Sequence, residues 1–557
     1  MQYSSNKSDL FLLIFKKTVT IIGLGLILAL TVFLIWSSFL GFDFTDESLY
    51  SVGYYFELDI DFTFSFFHRI YNSIFGLFKF NLYQNRILGV LLILITSIVL
   101  ANTISVFLGL KNRKEIIIIA SVLGFLGYTL FPMSVSYNLL SVIFIAFFIA
   151  ISVSKIKPVP KSILLGFLSA FIVLNKFTNL LFIVVYVLFY IFMLKKKITL
   201  KSLIYMVIGG VFAVFFLFHN ISSMFNGFKS FKIGLGLAGG HSFMDMITRL
   251  YDDLFRLTLT LKHILPILVI IGLLKIKLIN KKIKIELVLV ISFILNYSYL
   301  LYIYNGFVAK ADLPVFYFLY CITLIVIVLV NKKYAFKNKL FFIGLFFLLI
   351  PFIAVAGTNN SFFMQFLLYG NILAIGYFLL LEQLAYKKLK YLMFLTLISV
   401  SAFHIYSFRY DNPYRLHASL TTQTKEVKGV KYLSKIKVDS ASLSIINNIK
   451  ELNNHPSKYI FTLSHQIGLS LLTNKKPLIF AWINLSNYKS IPVFLANKEN
   501  VLEENILFFL PSDTLKRKKV IEYLSESKTL NFRNNYKYWK TIESKEDSLY
   551  IYELKNN

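Results

Sequence analysis

"SILLGFLSAFIVLNKFTNLLFIVVYVLFYIFML", residues 162–194, is an almost unbroken apolar run that sets the topology of everything after it. Read as one helix, it crosses a membrane once. Broken at "NKFTN" (175–179), it forms two arms and crosses twice. The lysines arbitrate. They cluster between apolar runs at 16–17, 111–114, 155–161, 195–201, 275–284, 332–339 and 387–390. A single helix would put the later clusters on the face opposite the earlier ones, whereas a hairpin keeps all of them on one face, as the positive-inside rule requires. Each arm then has only about 15 residues and spans roughly 22 Å, short of a hydrocarbon core of about 30 Å. Lys176, at the tip, is therefore expected below the outer membrane surface.

The rest of the chain fits this frame. Its 557 residues are 57% hydrophobic and 17% aromatic. Repeated apolar runs mark an α-helical polytopic membrane protein. Thirteen spans are expected, near 18–40, 87–109, 115–131, 137–154, 162–175, 177–194, 202–219, 263–280, 285–303, 313–331, 340–356, 362–382 and 390–407. The N-terminus would be cytoplasmic and the C-terminus on the outer face. The first run is too long for the apolar core of a cleavable signal and lacks a small-residue cleavage site, so it reads as the first span. The net charge of +30 could suggest nucleic acid, but it resides in the loops of one face. It is a topology signal, and no nucleic-acid partner is expected. The single cysteine, Cys321, lies in an apolar run, which excludes a disulfide framework and a thiolate metal centre.

Two outer connections, 41–86 and 220–262, are far longer than turns. Each carries an amphipathic piece, at 62–80 and at 241–257, suited to lie in the membrane interface. Beyond residue 407 hydropathy falls, and 408–557 reads as a soluble α/β domain on the outer face. Strand-like runs fall at 458–464, 477–483, 505–511 and 548–554, with helix-like runs at 440–453 and 513–527. No phosphate-binding, zinc-protease or nucleophile-elbow motif occurs in it.

Candidate chemistry gathers at the outer face. "GFDFTDESLYSVGYYF" (41–56) places Asp46 and Glu47 just after the first span. Acids there suit the first turn of an interfacial helix, and they equally suit a general base or a divalent-cation ligand. Tyr50, Tyr54 and Tyr55 follow and could hold a sugar ring, although interfacial belts also favour tyrosine. Lys176 is either a snorkelling lysine at a hairpin tip or an anion ligand, since an ionisable group at that depth marks sites and pathways. Arg69 and His68, on the amphipathic piece, are candidates of the same kind, as are Arg249 and Arg256; a charged face of an interfacial helix explains them too. "FRYDNPYRLH" (408–417) returns Arg409 and Arg415 to the exit of the last span.

As a whole, the arrangement resembles the C-type (GT-C) membrane glycosyltransferases. The acid pair after the first span, "NLYQNRILGVLL" (81–92), about thirteen spans and an outer C-terminal domain carry the likeness. "PMSVSYNLL" (132–140), "LNKFT" (174–178) and "PFIAVAGTNN" (351–360) are similar to short motifs of the bacterial branch that includes the aminoarabinose transferases, relatives of the protein O-mannosyltransferases. The resemblance implies an inverting transfer from a polyprenyl-phosphate sugar to an envelope lipid, glycan or protein. It assigns Asp46 and Glu47 to catalysis and Lys176, Arg69 and His68 to the donor phosphate. Tyr50, Tyr54, Tyr137, Asn138, Asn359, Asn360, Arg409 and Arg415 would contact substrate. One departure is plain: residues 131–137 contain no acid, where some members carry a second carboxylate. A divalent cation therefore stays an open expectation, and the metal ligands stay unassigned. A lipid-linked oligosaccharide flippase would share the topology, but transporters show repeated halves and midplane sites. An O-antigen polymerase or ligase is the rival within the enzymes.

Overall fold

The computed structural model describes residues 3–237, 313–331, 338–356 and 365–555 apart from 64, 385–386, 417, 464–465, 484–487, 503 and 543–547, with isolated residues between 244 and 255. The chain is a helical membrane protein with a small sheet near its C-terminus. Among the described residues, five helical segments are long and apolar enough to cross a membrane: Leu13–Ser37, Leu82–Phe107, Pro158–Asn175, Leu200–Phe218 and Lys390–Asp411. Four shorter apolar helices accompany them, at Tyr137–Val153, Phe177–Phe192, Lys339–Val355 and Leu367–Leu381. The spans expected at 263–280 and 285–303, and most of the amphipathic piece at 241–257, lie outside the described residues.

In chain order the helices used below are α1 (Tyr3–Ser37), α2 (Asp46–Tyr55), α3 (Phe67–Phe75), α4 (Leu82–Phe107), α5 (Arg113–Gly124), α6 (Tyr137–Val153), α7 (Pro158–Asn175), α8 (Leu180–Phe192), α9 (Leu200–Phe218) and α10 (Ile221–Leu237). They begin where local chemistry satisfies the free backbone donors. Asn81 and Gln84 form a reciprocal capping box at α4. Ser136 caps α6, Thr199 caps α9, and α7 opens on a proline.

The 162–194 run is broken where expected. α7 stops at Asn175, Lys176 takes extended angles (φ −154°, ψ 101°), and a 3₁₀ turn at Phe177–Asn179 leads into α8. The break is fixed by side chains: the Asn175 amide donates to the Tyr137 carbonyl (2.7 Å) and to Ser141 Oγ (2.8 Å), and that of Asn179 donates to Ser141 Oγ (3.0 Å). Direction follows from the neighbours. A Cβ added at Gly166 would lie 1.8 Å from the Met206 carbonyl oxygen, and one at Gly209 2.0 Å from that of Ile163. Farther along, Phe167 packs on Phe212 and Phe171 on Phe216. The contacts advance together along both helices, so α7 and α9 run parallel. The chain must return between them, and α8 is that return.

Two chemically different ends result. At one, Lys16 bonds Asn112 Oδ1 (2.7 Å) and pairs with Glu115 (3.1 Å), Asn112 donates to Glu382 (2.9 Å), and Lys390 pairs with Glu382. Two lysines, Lys16 and Lys390, thus meet in one network through Asn112, Glu115 and Glu382. At the other end, the linker after α1 joins the C-terminal domain: Gly41 N donates to the Lys437 carbonyl (2.7 Å), and Lys437 N to that of Phe39 (2.8 Å). Phe42, Leu49, Val52 and Ile60 of the first long connection share one buried cluster with Tyr432, Leu469 and Phe480. The connection 41–86 is thus not a free loop: part of it belongs to the core of the C-terminal domain, while Tyr50, Tyr54, Phe67 and Tyr71 pack into the core of the membrane helices.

That domain holds a short pair, β1 (Lys425–Glu426) with β2 (Lys437–Val438), and five more strands: β3 (Tyr459–Phe461), β4 (Lys476–Pro477), β5 (Ile506–Pro511), β6 (Tyr536–Ile542) and β7 (Leu549–Leu554). The sheet order is β4-β3-β5-β7-β6, with β3 parallel to both neighbours and β7 antiparallel to both. β5 is buried along its whole length, as expected of a central strand. The strand expected at 477–483 is only β4, which ends at Pro477, and Phe480 turns instead to Asp61, accepting its backbone N–H (2.7 Å) and donating its own N–H to the Asp61 carboxylate (2.8 Å). The amphipathic piece at 62–80 is shorter than expected: its helix is α3 plus one 3₁₀ turn, and Phe67, His68, Ile70 and Tyr71 pack inward. Leu77 and Phe78 stay exposed.

Candidate functional site

The two acids of the opening motif are separated by helix geometry. In the first turn of α2, Glu47 is buried and Asp46 faces the C-terminal domain. The cap itself is Asp43, whose carboxylate accepts from Thr45 N (2.8 Å), Thr45 Oγ (2.6 Å) and Glu47 N (3.0 Å). Burial, with Asp46 nearby, pushes the Asp43 pKa up to about 7.

Glu47 makes a bidentate pair with Arg86, whose Nε donates to Oε1 at 2.8 Å. The remaining guanidinium hydrogens go to the carbonyls of Ser38 (3.1 Å), Leu40 (3.0 Å) and Gly41 (3.0 Å). Burial raises the Glu47 pKa, but Arg86 more than offsets it and holds the carboxyl below its usual range. Arg409, 3% exposed, lies within electrostatic reach of Glu47 and Arg86, and its Nε has no hydrogen-bond partner among the described residues. Glu47 therefore ties α2 to α4.

Asp46 is held differently. The Tyr414 hydroxyl donates to its Oδ2, and Arg415 Nη2 lies 3.1 Å from the same oxygen. The Asp46 side chain is 13% exposed and that of Arg415 48%. A segment following the last long helix thus closes over the carboxylate. Behind Asp46, and in electrostatic contact with it, is Tyr50, whose ring centroid is 6.1 Å from that of Tyr137. Lys176 Nζ sits 5.6 Å above the Tyr137 ring. It donates to Gln365 Oε1 (2.9 Å) and approaches Asn138 Oδ1 (3.4 Å). Lys176 is 7% exposed and, among the described residues, has no carboxylate partner. The structure thus brings Asp46, Tyr50, Tyr137, Asn138, Lys176 and Arg415 into one cluster. Asn359 and Asn360 lie outside the described residues.

Arg69 stands apart, while His68 and Tyr54 pack on Phe67, which touches both Tyr50 and Tyr137. Arg69 pairs with Asp59, donates to Ser223 Oγ (3.0 Å) and lies 4.8 Å over the Phe218 ring. His68 is buried among Tyr54, Phe67 and Phe480, in space left by Gly53. Its burial lowers the pKa to about 4 and keeps the ring neutral, Asp59 opposing. Tyr54 donates to the Val135 carbonyl, which fixes α2 against the loop before α6. Among the described residues no three His, Cys, Asp or Glu side chains gather as a metal site.

Sequence reading missed Arg86, Gln365 and Tyr414. Arg86 carried a signal, being an arginine near the start of an apolar span. Tyr414 and Gln365 carried none, since nothing local marks which tyrosine or glutamine the fold returns to a site. The sequence matches no protein-family model and no curated protein.

Proposed function

We propose that the protein is an inverting glycosyltransferase of the cell membrane that moves a sugar from a polyprenyl-phosphate donor to an envelope lipid, glycan or protein. The observation that carries this reading is Lys176: a buried cation answered by amide oxygens and a tyrosine face, with Asp46 beyond two tyrosine rings. A buried charge without a counter-ion is costly, and an anionic ligand would relieve the cost. A donor phosphate meets that need.

In the proposed step, an acceptor hydroxyl attacks the anomeric carbon and Asp46 takes its proton. The new oxygen–carbon bond forms as the bond from carbon to the phosphate oxygen breaks, and polyprenyl phosphate leaves with its charge stabilised by Lys176. Tyr50 and Tyr137 supply flat faces between the two groups. Tyr414 and Arg415 hold Asp46 by Oδ2, so Oδ1 is the oxygen that would take the proton while they keep the carboxylate in place. This reading gives the chain thirteen spans, a cytoplasmic N-terminus and the sheet domain outside. The test is transfer from a polyprenyl-phosphate sugar by the purified protein, alongside mass spectrometry of envelope glycans and glycolipids with and without the gene. Unchanged glycans, together with no binding of the donor, would exclude it.

A further inference from the structure

Away from Asp46, two adjoining cavities flank residues 59–63. One is about 470 Å³ and the other about 250 Å³, and both are lined by Asp59, Ile60 and Ser230. Together they fall in the range of about 300 to 1,000 Å³ usual for small-molecule sites. The outer wall of the larger is α10. Ser223, Asn226, Gly227 and Ser230 lie on one face of that helix at spacings of three, four and seven, and line the cavity. Ile221 and Phe225, by contrast, are 57% and 66% exposed. α10 is thus mixed in character: Met224, Phe228 and Phe231 pack inward on the core and on Phe66, Ser223 and Ser230 line the cavity, and Ile221 and Phe225 stay exposed.

The charges on the walls cancel. Arg69 is paired with Asp59, and Lys498 lies 2.9 Å from Asp61. What remains to meet a ligand is neutral: hydroxyls, side-chain amides and aromatic faces. Phe66 lines the larger cavity, while Phe62 and Phe494, with ring centroids 5.4 Å apart, line the smaller. The wall between is held under strain. Phe62 has φ 48°, unusual for a bulky side chain, and its carbonyl oxygen would lie 2.0 Å from a Cβ at Gly234 of α10. Thr63 N donates to Ser230 Oγ at 3.3 Å.

We infer that this paired cavity binds a neutral, polyhydroxylated group, a sugar, presented on a lipid. Neutrality follows from the matched ion pairs and the sugar from hydroxyl, amide and ring faces along two adjoining open clefts. The lipid follows from the exposed Ile221 and Phe225, which alternate along the chain with the lining residues Asn220, Ser222 and Asn226. This binding requires no turnover and stands whether or not Asp46 is a base.

The test uses the full chain in phosphatidylcholine nanodiscs, with monoglucosyl diacylglycerol as probe and phosphatidylglycerol as the anionic comparison, read by native mass spectrometry. The wild type should retain the glucosyl lipid preferentially. Asn226→Phe, from α10, and Asn497→Phe, from the opposite wall, should each weaken retention by about tenfold as hydrogen-bonding space is filled. Both positions are exposed, and thermal unfolding checks that each variant folds. Asp46→Asn should retain the probe as the wild type does, which separates this site from the proposed reaction. Competition by free maltotriose would assign recognition to the sugar alone, and its failure would add the lipid tail; both support the site. Equal retention of phosphatidylglycerol, or undiminished retention in both phenylalanine variants, would overturn the inference.

Discussion

Replacing Glu47 by alanine would leave the Arg86 guanidinium buried without its counter-ion, a loss of about 3 to 5 kcal/mol for pairs of this kind. The Glu47→Ala variant should therefore unfold at markedly lower denaturant concentration. Asp46→Asn should fold normally and, if Asp46 is the base, lose about 10² to 10⁴ in turnover. Wild-type turnover by purified Asp46→Asn would remove it from the chemistry. Nearby, Asp43 and His68 set opposing pH dependences. The folded pKa of Asp43 is raised to about 7, so its contribution to stability is present at low pH and lost as pH rises from about 4 through 7. His68, lowered to about 4 in the fold, does the reverse and adds stability as pH rises from about 4 to 6.5. Asp43→Asn should make stability climb more steeply over this window, and His68→Phe should make it fall. Thermal unfolding between pH 4 and 7 checks both; unchanged slopes in both would refute the assignment.

Among the elements, α7 and α9 approach closely because Gly166 and Gly209 have no Cβ, a packing mode that small residues permit in membranes. Gly166→Leu meets backbone, which cannot give way as a side chain can. It should cost about 1 to 3 kcal/mol or more, measured by unfolding in detergent. An unperturbed variant would contradict the parallel packing. Such contacts were not legible in the sequence, whereas the break between α7 and α8 was, because lysine placement constrains parity. Long apolar helices were legible for the same reason that they fold: uniform hydropathy over a fixed length. The edge strand β6 escaped notice because "YKYWKTI" carries lysines on an exposed pattern and shows little apolar alternation. The turn of Phe480 to Asp61 was hidden as well, since the two lie more than four hundred residues apart. The site divides similarly. Asp46 and Lys176 were found as charges in apolar surroundings, while Tyr414 and Gln365 reach them only through tertiary folding.

At the scale of the whole molecule, the two ends differ in make-up before any membrane is considered. Lys16, Asn112, Glu115, Glu382 and Lys390 close one end, while the connection 41–86, the tip at Lys176 and the sheet domain occupy the other. Ser65 Oγ donates to the Asn175 carbonyl at 2.6 Å, so the hairpin tip and the first long connection belong to the same end. If lysine-rich loops stay inside, this separation orients the chain. The expected outcome concerns single cysteines in a Cys321→Ser background. At Lys155 and Lys196 they should react with an impermeant maleimide only after the cells are opened. At Lys431 and Asn474, in the sheet domain, they should react in intact cells. Labelling of Lys196→Cys in intact cells would reverse the orientation of the hairpin and, with it, the outer placement of Asp46. Since α7 and α9 run parallel, such a result would invert both ends together and would place the sheet domain in the cytoplasm, where a polyprenyl-phosphate donor presented on the outer face could not reach Lys176.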